Sequence, residues 1–171
     1  MVKKQSKYQT IIDIVVAFVA AWLFYQLLSL VTGTPMPIVS VVSWSMYHNA
    51  PFDAWWQEKG SFYMSYGISK QGFQSFPAPN GLSRGDLLFV IKEDNVNVGD
   101  VVIFNTPSQP FTIVHRVIRI NPDGTLETKG DANSGQNFYE HNIPRQQIIG
   151  KVILAVPLLG YPRLALYAVG I

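Results

Sequence analysis

From Ile11 to Val31 the chain is apolar apart from Asp13, Gln26 and Ser29, and between Ile14 and Tyr25 nothing polar interrupts it. About 20 apolar residues in a helix cross the hydrocarbon of a bilayer. This stretch therefore sets the architecture before any other feature: a short segment over 1–9, an anchor over 10–32, and the remainder on one side. Lys3, Lys4 and Lys7 precede the run, and no basic residue follows until Lys59. That asymmetry predicts a cytoplasmic N-terminus and a single pass through the cell membrane, with the rest outside. Trp22 and Tyr25 fall in the outer half, where amphipathic rings suit the interface. A cleaved leader has an apolar core of roughly 7–15 residues and then a small-residue cleavage site. The run here is longer and no Ala-x-Ala pattern follows it, so an uncleaved anchor is expected.

The rest of the composition excludes several classes. Only 14% of the 171 residues are charged while 48% are hydrophobic, a balance that fits a membrane-associated chain with one domain and a sizeable core. The net charge of +2 implies no field for nucleic acid, and basic residues do not cluster with aromatics as nucleic-acid binders require. There is no cysteine, which removes disulfides, thiolate catalysis and cysteine-bound metal. The three histidines lack ligand spacing on one element, and no glycine loop is built for phosphate. Neither a metal nor a cofactor is expected.

Beyond Pro35 and Pro37 the chain reads as mainly β. Pro37 to Val42 is rich in β-branched residues and predicts a strand. Gly85-Asp86 and Gly99-Asp100 precede strands over Leu87–Ile91 and Val101–Phe104. Thr112–Ile120 pairs through the Asn121-Pro122-Asp123-Gly124 turn with Thr125–Thr128, and Ile148–Val156 is a further strand. Strands at this spacing suggest a sandwich or small barrel over 33–157. Residues 48–83 are an insertion of another kind. Asn49 is a candidate cap for a helix from Ala50 to Lys59 closed by Gly60, followed by Phe62, Tyr63, Tyr66, Phe73 and Phe76 among small and turn-forming residues. These rings either rest on a membrane interface or form a satellite core over the sheet. The apolar tail over 158–171 contains Arg163, which is costly at mid-bilayer, so an interfacial segment is expected there, with a second span as the lesser alternative.

Ser43-Trp44-Ser45-Met46 lies at the end of the first strand, just outside the anchor. A serine becomes a nucleophile only when a base takes its proton and donors hold the oxyanion. His115, in the middle of a strand, shares a face with Ile113 and Val117, and a histidine so placed is more often a core residue than a base. His48 reads as a solvated loop residue, and His141 as exposed. Lys92 is the alternative base, although Glu93-Asp94 beside it suggests a solvated turn. Asp131, in Lys129-Gly130-Asp131-Ala132-Asn133, has the chemistry of a turn, as Asp86 and Asp100 do. Glu140 is the other nearby acid. A buried acid beside His115 would fix its tautomer and stabilise the imidazolium.

Taken in order, the anchor, Ser43-Trp44-Ser45-Met46, Gly99-Asp100-Val101-Val102-Ile103-Phe104, Val114-His115-Arg116-Val117 and Lys129-Gly130-Asp131-Ala132-Asn133 resemble the type I signal peptidases, in the archaeal and endoplasmic-reticulum branch that uses Ser and His. The resemblance covers residues from about 10 to 157 outside the insertion. It implies a signal-peptidase-like β domain and a membrane-bound serine endopeptidase that removes signal peptides from exported preproteins near the Sec translocon. It makes Ser45 the nucleophile, His115 the general base and Ser43 an oxyanion donor, and it sets Asp131 at or beside the catalytic group. Trp44 and Met46 would wall the pocket for small substrate side chains. Many relatives carry a further Asp six residues after the Gly-Asp, where this chain has Asn137. The acid is therefore Asp131, or Glu140 in its stead. The rival reading is a catalytically inactive, membrane-anchored β domain that binds or assembles partners; a third is a peptidase for a restricted set of surface proteins.

Overall fold

The computed structural model describes residues 7–168. Lys3 and Lys4, which carry the expected orientation, and the last three residues of the tail lie outside the described residues. The apolar run forms one 26-residue helix, α1 (Lys7–Thr32), with no buried residue, and it is long and apolar enough to cross a membrane. Gly33, at φ 66°, ends it in a conformation glycine adopts freely.

The β domain is a single six-stranded antiparallel sheet rather than a sandwich. Its strands are β1 (Ile38–Ser40), β2 (Leu87–Ile91), β3 (Val101–Phe104), β4 (Ile113–Ile120), β5 (Leu126–Lys129) and β6 (Ile148–Val156), in the order β1-β2-β6-β3-β4-β5. Loop residues join the strands in burying the sheet, Val41, Met46 and Leu82 in one core and Val96 and Ile143 in the other. Alternation in β3 sends Val101 and Ile103 into a core with Val39, Leu88, Val90 and Val152. Val102 and Phe104 go into another core with Ile113, Val117, Leu126 and Ile148. The two Gly-Asp pairs are strand entries. Gly85 and Gly99 take φ of 94° and 98°, and Asp86 and Asp100 each accept a backbone N–H three residues upstream, from Ser83 and Asn97.

The insertion is a satellite core. Helix α2 (Phe52–Ser65) and the short α3 (Lys70–Gln74) bury Trp55, Trp56, Tyr63, Ile68 and Phe73 against Ile118 of β4. Two expectations change. Pro51, not Asn49, stands at the cap, and its fixed φ suits that place. The helix also runs through Gly60, where a Cβ would meet Trp56 Cε2 at 2.5 Å; this glycine permits ring packing instead of ending the helix. The tail turns after β6 into α4 (Tyr161–Ala168), which buries Leu164 and packs back on β1.

Candidate active site

Ser43 and Ser45 lie in the turn that follows β1, and their hydroxyls are hydrogen bonded to each other at 3.1 Å. Both line a cavity of about 880 Å³ with Val39, Val41, Met46 and His115. Met46, 1% exposed, forms part of its wall. Trp44 does not line it: the indole is exposed and meets Tyr47 edge-on. Ser45 O accepts Ala132 N–H at 2.8 Å, and Met46 O accepts Leu82 N–H at 2.8 Å, so the serine turn is pinned on both sides.

His115 is buried on the face that alternation gives it. Its Nδ1 bonds Glu140 Oε1 at 2.5 Å. Its Nε2 side lies against Gly130, where a Cβ would stand 2.7 Å from Nε2 and 2.8 Å from Ser45 O. Among the described residues no hydrogen bond joins Ser45 Oγ to the ring; such contacts commonly tighten only with substrate bound. Glu140 is fully buried. Its Oε2 accepts Asn137 N–H at 2.6 Å and Asn137 Nδ2 at 2.8 Å, in a capping box around the 3-10 turn Phe138–Glu140. Burial pushes the Glu140 carboxyl up, but the hydrogen bond and charge of His115, with the Asn137 donors, outweigh it and hold the group below its ordinary value.

Asp131 does not meet His115. It accepts Arg116 Nε at 3.0 Å and Nη2 at 2.7 Å, Tyr63 Oη at 2.8 Å and bonds His48 Nε2 at 3.1 Å. Strand register explains this. Ile120 pairs with Leu126 and Arg119 with Glu127; continued regularly, that hairpin would set His115 opposite Asp131. A bulge at Ile118 shifts the count by one, so Arg116 pairs with Lys129 and His115 comes to face Gly130. Burial raises the Asp131 carboxyl, yet the Arg116 guanidinium and the bond from His48 hold it well below the carboxylate range. Burial lowers the Lys129 amine to about 8 against the pull of Asp131.

Lys92 is not part of this group: its Nζ donates to Ile148 O and its backbone N–H to Thr32 O. His48 is not solvated but 7% exposed and stacked on Trp55 at 3.7 Å. His141 is half-exposed, with Nδ1 3.6 Å from Glu127.

No family model matches the chain. It is 32% identical over 159 residues to the signal peptidase complex catalytic subunit SEC11 of Lachancea thermotolerans, covering 85% of this chain and 74% of the relative. It is 31% identical over 156 residues to SEC11 of Verticillium alfalfae, covering 82% of this chain and 70% of the relative. The chain belongs to the SEC11 signal peptidase family. Within this SEC11-type domain, sequence reasoning missed three residues that the fold brings to the site. They are His48 and Tyr63 on Asp131, and Asn137 on Glu140. For Asn137 the signal was present: Asn followed three residues later by Glu is the pattern of a capping box.

Proposed function

We propose that this chain is a membrane-anchored serine endopeptidase that removes signal peptides from exported preproteins delivered by the Sec translocon. Ser45 attacks the scissile carbonyl and His115 Nε2 takes its proton, then returns it to the leaving amine. Glu140, not Asp131, orients the ring through Nδ1–H and stabilises the imidazolium. The Ser45 N–H and the Ser43 hydroxyl hold the oxyanion. The Lys3, Lys4 and Lys7 cluster supports a cytoplasmic N-terminus, with the β domain outside the cell membrane. The observation that carries the reading is the buried His115–Glu140 pair at 2.5 Å, on the wall of a cavity that also takes in Ser43 and Ser45.

The test is incubation of the detergent-solubilised protein with a labelled preprotein, beside Ser45→Ala and His115→Ala. Cleavage after a small residue, lost in both variants, is the expected result. An inert wild type across several preproteins and detergents would favour the inactive binding domain.

A further inference from the structure

The insertion brings two polar side chains to the residue that ties the site together. Asp131 is fully buried and receives donors from three parts of the fold: Arg116 on β4, Tyr63 on α2, and His48, three residues past the nucleophile. Its own N–H points at Met46 Sδ, at 3.5 Å. The next residue, Ala132, donates to Ser45 O, and the one before, Gly130, lies against His115 Nε2. The turn over 130–132 thus touches both nucleophile and base, and Asp131 sets its pose.

Arg116 grips Asp131 through Nε and Nη2 but leaves part of the carboxylate to other donors. Its guanidinium is already committed to Pro77 O, Ala78 O and Gly99 O at 2.7–2.9 Å, and those carbonyls fix it to the end of the insertion and to the β3 entry. The remaining lone pairs of Asp131 are met only by Tyr63 Oη and His48 Nε2 among the described residues. The His48 ring lies 9° from the Trp55 plane, and its Nδ1 is buried with no hydrogen-bond partner among the described residues. Leaving a ring nitrogen bare in the interior costs free energy. The bond that the ring gains through Nε2 to the carboxylate offsets that cost.

We propose that His48 and Tyr63 are positioning residues for the reaction. They hold Asp131, and through it the 130–132 turn that seats Ser45 and His115, so the insertion over 48–83 belongs to the catalytic frame. The inference rests on the peptidase reading above.

The test uses the full-length, detergent-solubilised protein and a preprotein substrate. His48→Phe keeps a ring on Trp55 and removes the donor; His48→Gln returns a donor; Tyr63→Phe removes only a hydroxyl. Displacing a reacting group by a fraction of an ångström to an ångström costs up to about 100-fold in rate. In His48→Phe, kcat is expected to fall by ~10- to 100-fold with KM unchanged, with a smaller loss in Tyr63→Phe and recovery of most of the rate in His48→Gln. Val96→Ala, in the separate core of Phe104 and Ile148, serves as the control that lowers Tm and leaves kcat alone. Backbone hydrogen exchange at 130–133 should quicken in His48→Phe. Unchanged kcat in both His48→Phe and Tyr63→Phe, with only Tm lowered, overturns the proposal. An inert wild type overturns the peptidase reading instead. The exchange data then decide the holding role by themselves: faster exchange sustains it and unchanged exchange ends it.

Discussion

Replacing Glu140 by Gln tests the proposed triad at its most exacting point, because the substitution keeps the shape and changes one oxygen to an amide nitrogen. In the native site one carboxylate oxygen accepts His115 Nδ1–H while the other accepts Asn137 N–H at 2.6 Å and Asn137 Nδ2 at 2.8 Å. A glutamine has two poses. With its oxygen on His115, its NH₂ faces the Asn137 donors. The Asn137 amide can turn its own oxygen inward, but the backbone N–H cannot turn, and one unpaired N–H costs about 1–3 kcal/mol. With its oxygen on Asn137, its NH₂ donates to His115 Nδ1, which then carries no proton. A neutral imidazole bears its proton on either nitrogen, so this second pose is favoured. Its consequence is that Nε2, the proposed proton acceptor, arrives already protonated and cannot act as the base.

At 1.36 kcal/mol per decade, that preference alone lowers the competent population by about 5- to 150-fold. Loss of the charge that stabilises the imidazolium multiplies the effect. In Ser-His-Asp enzymes the Asp-to-Asn change costs about 10⁴-fold in kcat by this tautomer route, and a fall of ~10³- to 10⁴-fold is expected here. The assay is preprotein cleavage with kcat and KM measured separately. KM and Tm should move little, since the amide side chain fills the same space as the carboxylate. Asp131→Asn behaves otherwise. It leaves the buried Arg116 without its anion, and breaking such a pair costs about 3–5 kcal/mol of stability, so Tm falls together with activity. A Glu140→Gln variant within tenfold of wild-type kcat would refute the assignment.

Two further predictions concern the Lys129–Asn133 segment. Gly130→Ala drives a methyl to 2.7 Å from His115 Nε2 and 2.8 Å from Ser45 O; overpacking costs about 1–3 kcal/mol, and kcat should fall by about 100-fold, so full activity would contradict the close approach. The second concerns Lys129, whose amine sits at about 8 in the folded chain, below its ordinary 10.5. Between those values the unfolded chain binds more protons, so this residue makes stability rise with pH from about 8 upward. Denaturant unfolding at about pH 7, 8, 9 and 9.5 should show that rise in wild type and less of it in Lys129→Met. Equal slopes would mean that the amine is not depressed.

Much of the fold was legible because local signals and burial agree. The strands Leu87–Ile91 and Val101–Phe104 are apolar runs that follow Gly-Asp pairs, and Ile148–Val156 is a largely apolar run after a polar one. Alternation put His115 on the right face. Which carboxylate meets His115 was not legible, and the reason Asp131 does not is one extra residue: the bulge at Ile118 sets what stands opposite His115, and nothing in Val117-Ile118-Arg119 announces it. The insertion escaped for a different reason. Its rings look equally suited to a bilayer and to one another, and only tertiary packing against Ile118 and Arg116 separates the two, with Arg116 lying 4.6 Å over the Phe73 ring. His48 was misread because the stacking partner that buries it, Trp55, lies on an element whose path the sequence does not reveal.

The junction between α1 and the sheet is short and stiff. Thr32 O accepts Lys92 N–H at 2.8 Å, Ser29 Oγ donates to Thr34 O at 2.8 Å, Tyr25 Oη reaches Pro35 O at 3.2 Å, and β1 begins at Ile38. A 26-residue helix is about 39 Å long, longer than the roughly 30 Å of hydrocarbon it would cross. Little free chain therefore separates the last turn of the helix from the serine turn. If α1 spans a bilayer, the height of Ser45 above it would be set by where α1 seats and not by a flexible tether.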